Sequence, residues 1–546
     1  MIPPRGRWLA LAWLSALACV TRLDDALRSD PLQAPPAADT VPSSPRPQGA
    51  DVAEVPRKVP AWPADLVARA CTVSPRSSAE LGAEILRARG GTTLCLTPGE
   101  SYPGTFTVPA RADNDTGWVV LRTAPSVAPL LPGERLTPTV ATQLAKLVGP
   151  GTEVGSVLRF GMRARKWLVE SVEVTADSSG TQGPVALIVI GTNGERTIAD
   201  LPTDIVLSHV FVHGAERQHV RRAIAANGGA MTLVDSWCEN IHARGFDSQC
   251  WATWGGAGPI LIENNHLSAG SENIVFGGAD PSVSNLVPTD VTIRRNYLFK
   301  PTAWINQGWN VKNLLESKAA ARVLVEHNVF DGQWHDQAAG HAAVVLKSTS
   351  QDGRCPSCST SDWTIRGNLF RNVATPFSLG GRADQHVTGR TDSTNRRFSI
   401  VENWIEPTQV EPFTAPNRGA IIFVAENDEV EFRRNVMEGS QGVVAGAIFD
   451  ITAGTYAARN MAFSSNIWPR GEYGFFTSGV SEGLRAWQAG ASGKSSWANN
   501  SLLGNSAAEY PVGTTWHPTL SQALASGAGF PRATIDSLVR GVVVPR

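Results

Sequence analysis

Apolar side chains recur along most of the chain in short alternating runs, each closing on an asparagine. ILIENNHL, VTIRRNYL, VLVEHNVF, WTIRGNLF, FSIVENWI, VEFRRNVM, MAFSSNIW and SSWANNSL share the form apolar-x-apolar-x-x-Asn-x-apolar. They set Asn265, Asn296, Asn328, Asn368, Asn403, Asn435, Asn466 and Asn500 in one column, at spacings of 31, 32, 40, 35, 32, 31 and 34 residues. Two upstream runs, IVLSHVFV and MTLVDSWC, fit the same frame with Val210 and Ser236 in the place of asparagine. Period-two alternation predicts strands, and a drifting repeat in the thirties without a helical stripe predicts a strand-based solenoid in which each repeat is one coil. Propeller blades run to about 40–45 residues with their own signature, and helical repeats need long 3.6-period segments. Neither pattern is present.

Coils of a parallel solenoid stack about 4.8 Å apart, so like residues fall into ladders along the axis. An asparagine at a tight turn gives and accepts hydrogen bonds along such a ladder and tolerates left-handed geometry. Eight copies therefore mark a structural column, because one active site has no use for eight. Upstream, SSAELGAEILRARGG predicts a short amphipathic helix over about 79–89. Ser77 or Ser78 would cap it, Leu81, Ile85 and Leu86 would share a face, and Gly90-Gly91 would stop it. Its expected task is to cover the open first coil, whose unpaired strand edge would otherwise invite association.

The first residues follow a different pattern. Arg5 and Arg7 precede an apolar run from Trp8 to Leu17, too short for a permanent membrane span, and the small residues Ala16 and Ala18 come before Cys19. This predicts a signal peptide over 1–18. Ala16-Leu17-Ala18-Cys19 also resembles a bacterial lipobox, which implies lipidation of Cys19; cleavage by ordinary signal peptidase is the alternative. Nine prolines between Pro31 and Pro63, with no apolar period, predict a poorly ordered tether over 19–63 ahead of a single solenoid domain over 64–546. The expected location is outside the cytoplasm, as an outer-membrane or cell-surface lipoprotein, otherwise secreted or periplasmic. Membrane contact is expected only through that lipid.

Composition agrees with a turn-rich globular body: 42% of residues are hydrophobic, and Gly and Pro number 51 and 36. With 48 basic and 49 acidic side chains no global field favours nucleic acid. Setting Cys19 aside leaves six cysteines. Pairing of sequence neighbours (Cys71 with Cys95, Cys238 with Cys250, Cys355 with Cys358) is one of fifteen connectivities and suits an exported chain. A zinc site would need a second Cys-x-x-Cys, which is absent.

The stretch GSENIVFGGADPSVSNLVPTDVTIRRNYLFKP, followed by WNVKNLLESKAAARVLVEHNVF, resembles the right-handed parallel β-helix proteins of the pectin-lyase-like superfamily, and among them exported bacterial members. The resemblance supplies the right-handed sense of coiling. It covers polysaccharide lyases, glycoside hydrolases and non-catalytic surface proteins, so it leaves function open. Polygalacturonase elements are missing: the only Asp-Asp is Asp24-Asp25, and Gly340-His341 is followed by Ala342. A calcium-dependent pectate-lyase pattern is missing too, so no cofactor is expected and calcium has no motif behind it.

One local anomaly remains. Lysines number eight, yet Lys300, Lys312, Lys318 and Lys347 fall within 48 residues. Aligning NIVFGG, NLLES, AVVLKS and PFSLGG predicts that Glu316 and Lys347 stack between Gly277 and Gly380, with Lys318 near Arg382 of a later coil. Such a groove suits β-elimination on a uronic acid, where one basic group neutralises the carboxylate and another takes the neighbouring proton. The Ser-Lys of LLESK with a basic residue one coil later resembles the alginate and chondroitin lyases of the sixth polysaccharide-lyase family. Their Arg-His-Gly is replaced here by Lys347 in LKS. Lys318, Lys347 and Glu316 are thus the candidate catalytic residues, and Lys312, Arg382, Trp309 and Trp334 the candidate substrate contacts, with no metal ligands. The plain alternatives are an inter-coil salt bridge for the charges, corner packing for the indoles and turn duty for the glycines. His327, His335, His341 and Asp336 lack regular ligand spacing and read as surface groups. The expected partner is an extracellular polysaccharide, bound and cleaved or only bound; a non-catalytic adhesion or structural envelope role is the alternative.

Overall fold

The computed structural model describes residues 52–125, 130–334, 342–381, 394–414, 419–424, 426–439, 443, 445–451, 456–477 and 479–543. Its strands form three long parallel sheets of 15, 14 and 12 strands among the described residues. In each sheet, neighbouring strands come from successive coils: Ile260–Glu263 pairs with Thr289–Arg294, which pairs with Ala320–Glu326, then Thr360–Arg366. The molecule is a right-handed parallel β-helix. Inward rows of Val, Ile, Leu and Phe fill its interior, and aromatic rings stack between coils, as for Phe330 on Phe370 at 4.5 Å and Phe423 on Phe449 at 5.2 Å.

All eight column asparagines are buried, and their ladder is continuous. Asn296 Nδ2 donates to Ile262 O of the preceding coil at 2.8 Å and to Asn328 Oδ1 of the next at 3.0 Å, and its backbone N–H also donates to Asn328 Oδ1 at 2.9 Å. The pattern repeats to Asn500. Ser236 joins it upstream, its N–H donating to Asn265 Oδ1 at 2.9 Å. The left-handed residue is the one before each asparagine (Arg295 φ 56°, His327 φ 56°, Glu402 φ 57°), so the asparagine closes the turn without itself adopting αL.

The capping helix spans Ser78–Arg87, with Ser77 Oγ accepting from Glu80 N at 3.2 Å. Leu81 and Ile85 face the first coil; Leu86, expected beside them, faces solvent. All three neighbour disulfides form, Cys71–Cys95, Cys238–Cys250 and Cys355–Cys358.

The chain termini cover two of the three faces. Residues 53–66 lie along the outside of the first sheet: Ala53 N donates to Ser399 Oγ, Glu54 N to Asp362 Oδ1 and Arg57 N to Asp290 Oδ1, and Leu66 is buried against Val120, Leu168 and Val206. The last dozen residues of the expected tether are therefore docked, because backbone N–H groups find the Ser399 hydroxyl and the carboxylates of Asp362 and Asp290, both at left-handed positions of their strands. Helices Leu520–Ala525 and Arg532–Leu538 place Ala523, Ile535 and Val539 over Tyr297, Val329, Leu369, Trp404, Val436 and Ile467 of the second sheet. Leu136, Ala141 and Leu144 cover Phe211 and Trp237 at its other end. On the third sheet the middle coils present charged side chains outward instead.

Candidate functional site

Leu315–Ser317 turns Leu315 and Ser317 inward, so Glu316 and the following Lys318 point out; Val344–Lys347 likewise buries Val344 and Leu346 and presents Lys347. Leu315 pairs with Ile274 and Val344, and Glu316 with Val275 and Val345. The expected stack of Glu316 on Lys347 between Gly277 and Gly380 is therefore shifted. Lys318 follows Phe276 in register, Thr349 N donates to Lys318 O, and Lys347 pairs with Gly381 across an irregularity, so the two lysines sit on adjacent coils between Gly277 and Gly381. The shift has a packing cause: Leu314 and Leu315 are both buried, and one must be taken up in the turn before the strand begins. A methyl at Gly277, which has φ 86°, would stand 2.8 Å from Lys318 Cβ, so that position needs glycine.

Glu316 sits below and between the ammonium groups. Its Oε1 is 3.4 Å from Lys347 Nζ and 3.7 Å from Lys318 Nζ, and its Oε2 accepts from Asn313 Nδ2 at 2.8 Å. Burial alone would raise this carboxyl, but Lys318, Lys347 and Lys312 outweigh burial and hold it well below the usual carboxylate range. Both lysine side chains are about one-fifth exposed, at 19% and 22%. They can meet a ligand without leaving Glu316.

Lys312 lies one step towards the N-terminal end. Its ammonium is 2.6 Å from Asp247 Oδ1 and 3.8 Å from Glu272 Oε1; burial opposes its charge, but Glu272, Asp247 and Glu316 prevail and raise it above the ordinary lysine range. Glu272 is buried, accepts from Gln249 Nε2 at 2.7 Å, and is pushed up to about 7 by burial, with Asp247 adding to the effect. Lys300 does not face solvent. It is fully buried and donates to the carbonyls of Ala269, Gly270 and Ser271 and to Asn273 Oδ1 at 2.6–3.1 Å, holding the turn; burial lowers it to about 7 against the pull of Glu272.

Trp309 and Trp334 are 6% and 3% exposed and pack with Trp304 and Val311, which supports the corner-packing reading over sugar stacking. Trp309 is stacked on His242 at 3.9 Å, with Arg244 over its ring. Trp251 is a core residue of the strand Gln249–Thr253. Arg382, Cys19, His335, Asp336 and His341 lie outside the described residues. Among the described residues, no three His, Cys, Asp or Glu side chains gather as a metal site.

Sequence reasoning missed Asp280. Its carboxylate accepts from Ser350 Oγ and from the N–H groups of Gln351, Asp352 and Arg354 at 2.7–3.1 Å, tying the loop after Lys347 to the loop after Gly278.

No family model matches the chain, and no curated protein matches it. A solved PL6 alginate lyase in complex with a trisaccharide is similar at 11% identity and TM-score 0.48, over 80% of this chain and 87% of that one. The catalytic domain of a GH87 α-1,3-glucanase with nigerose gives 12% and 0.43, over 84% and 67%. PfbA, a surface adhesin of Streptococcus pneumoniae, gives 11% and 0.39, over 80% and 88%. The fold is a parallel β-helix, as its three parallel sheets show. Two enzymes and an adhesin at such identities share architecture with this β-helix, and its function has to be argued from its own side chains.

Proposed function

We propose that this β-helix binds a uronic-acid polysaccharide along the outside of its third sheet and cleaves it by β-elimination at Lys318 and Lys347. The observation that carries the reading is the pair of lysines on adjacent coils, both within 4 Å of one buried carboxylate, on a face that residues 53–66 and the C-terminal helices do not cover. One ammonium pairs with the uronate carboxylate and so acidifies the adjacent C5–H. The other lysine, as the amine, takes the C5 proton; the C5–H electrons form the C4=C5 double bond as the C4–O bond breaks, and the new ammonium returns its proton to the departing oxygen. No metal enters these steps. A second reading, binding without cleavage, is favoured by Glu316 lying within 4 Å of both ammonium groups, an arrangement that suits holding an anion.

Export and lipidation at Cys19 belong to the same proposal, and the three disulfides support an oxidising compartment. The test is ultraviolet absorbance of unsaturated uronate after incubation with alginate, pectate, chondroitin and heparin-like chains, with and without calcium. A rise that Lys318→Ala or Lys347→Ala abolishes is the expected result. Absence of any rise, with retained binding that the same variants weaken, selects the second reading.

A further inference from the structure

Three coils before Lys318 on the same sheet, two arginines stand without an acidic partner. Among the described residues no carboxylate lies within 4 Å of Arg221 or Arg222, and the Nε of each is buried without a hydrogen-bond acceptor. Arg165 and Arg294 also have a buried Nε without a hydrogen-bond acceptor, but they ion-pair with Asp113 and Glu263, and other shielded arginines among the described residues are matched. Arg135 donates to Asn264, Val542 and Arg295, while Arg322, Arg371 and Arg397 each hold an aspartate. Leaving a shielded guanidinium unmatched costs free energy unless a ligand supplies the acceptor. Burial depresses Arg222 to about 10, with Arg221 adding to the effect, in keeping with that desolvation.

Both arginines lie against aromatic faces. Arg222 is 5.2 Å over Trp254 and Arg221 is 4.6 Å over Phe246, which is itself 42% exposed. This orients the two guanidinium groups and leaves aromatic surface beside them for a sugar ring. Strand register carries the pair to the lysines: Arg222 pairs with Gln249, Gln249 with Glu272, and Ile274 with Leu315, so three coil steps separate Arg222 from the coil of Glu316 and Lys318. At about 4.8 Å per coil this is roughly 14 Å along the axis, and Arg222 stands level with Asn313, five residues before Lys318, which adds about 16 Å along the strand; the separation of roughly 22 Å is the reach of several sugars in an extended chain. Asp247 and Glu272 lie between, but they are engaged by Lys312 and Gln249.

We infer that Arg221 and Arg222, backed by Trp254 and Phe246, form a second anion subsite that takes a carboxylate of the same chain several uronosyl units from the one held by Lys318 and Lys347. This rests on the polyuronate reading above. It makes the site selective for long chains, because a short oligomer cannot reach both clusters.

The test measures affinities of oligouronates from disaccharide to octasaccharide for the full chain, for Arg222→Met, for Arg221→Met and for Lys318→Ala/Lys347→Ala. Wild type is expected to bind long oligomers about tenfold tighter than short ones. Arg222→Met should erase that gain while leaving short-chain affinity unchanged and the melting temperature equal or higher, since it removes the unmatched guanidinium; Arg221→Met should reduce the gain and covers the case in which Arg222→Met does not fold. If both arginine variants retain the full length dependence while the lysine variant loses binding, the inference falls and the polyuronate reading stands. If the lysine variant binds as wild type while Arg222→Met loses the long-chain gain, the subsite stands and the role of the lysines falls. Failure of wild type to bind any oligouronate overturns both.

Discussion

The asparagine ladder and the lysine pair are both built by stacking coils, yet they obey opposite rules. Inside, eight copies of one side chain satisfy each other completely: Asn368 takes two donors from Asn328 and gives two to Val325 and Asn403. Outside, Glu316, Lys318 and Lys347 each occur once, and the two ammonium groups stand 3.7 and 3.4 Å from Glu316 Oε1. Repetition gives stability, because every coil reuses the same bonds. A site needs the reverse, a break in the repeat and charges that can still meet something else.

Substitutions can break this contrast from either side. Asn368→Leu strands donors on Asn328 and the carbonyl of Val325 in the interior, and at about 1–3 kcal/mol per buried unsatisfied group the expected loss is roughly 3 kcal/mol or more in urea denaturation. Lys318→Ala/Lys347→Ala together leave Glu316 buried without its ammonium partners, with an expected loss of about 3 kcal/mol. Either lysine removed alone is expected to cost less than about 1 kcal/mol while lowering polyuronate affinity at least tenfold, since the other still meets Glu316. Equal costs for the two single variants and the double would refute the shared carboxylate.

Smaller effects separate the two acidic groups by pH. Glu316 is held below its unfolded value of 4.5, so it contributes stability above that pH and loses it as pH falls through the folded value. Acid melts of Glu316→Gln should therefore fall less steeply below about pH 4.5 than those of wild type. Glu272 is raised from 4.5 to about 7, so its contribution is full at low pH and is lost as pH climbs through that window. Glu272→Gln should flatten the melting-temperature profile between those two values. An unchanged slope would mean that Glu272 does not titrate there.

Much of the fold could be read from the chain because its determinants are local and repeated. Each strand, each asparagine and the Ser77-capped helix depend on neighbours within a coil or on the same residue one coil away. The lysine site was legible only in part: its members stood out by number, but their register depended on whether Leu314 or Leu315 enters the strand, which packing decides. Trp309 and Trp334 illustrate the same limit, since an indole in a connection looks alike in sequence whether it faces sugar or, as here, Val311.

By itself the sequence determined a strand solenoid with a capped first coil and a polar spine of asparagines, since each follows from periodicity along the chain; the pairing of the six cysteines, one of fifteen connectivities, was chosen by the fold. Only the tertiary structure decided which faces residues 53–66 and the C-terminal helices cover. The strap over residues 53–66 reaches Asp290, Asp362 and Ser399, and the C-terminal helices reach Tyr297 and Trp404, contacts separated by more than a hundred residues. Local patterns cannot encode such distant pairings, because the surfaces involved exist only once the coils have stacked.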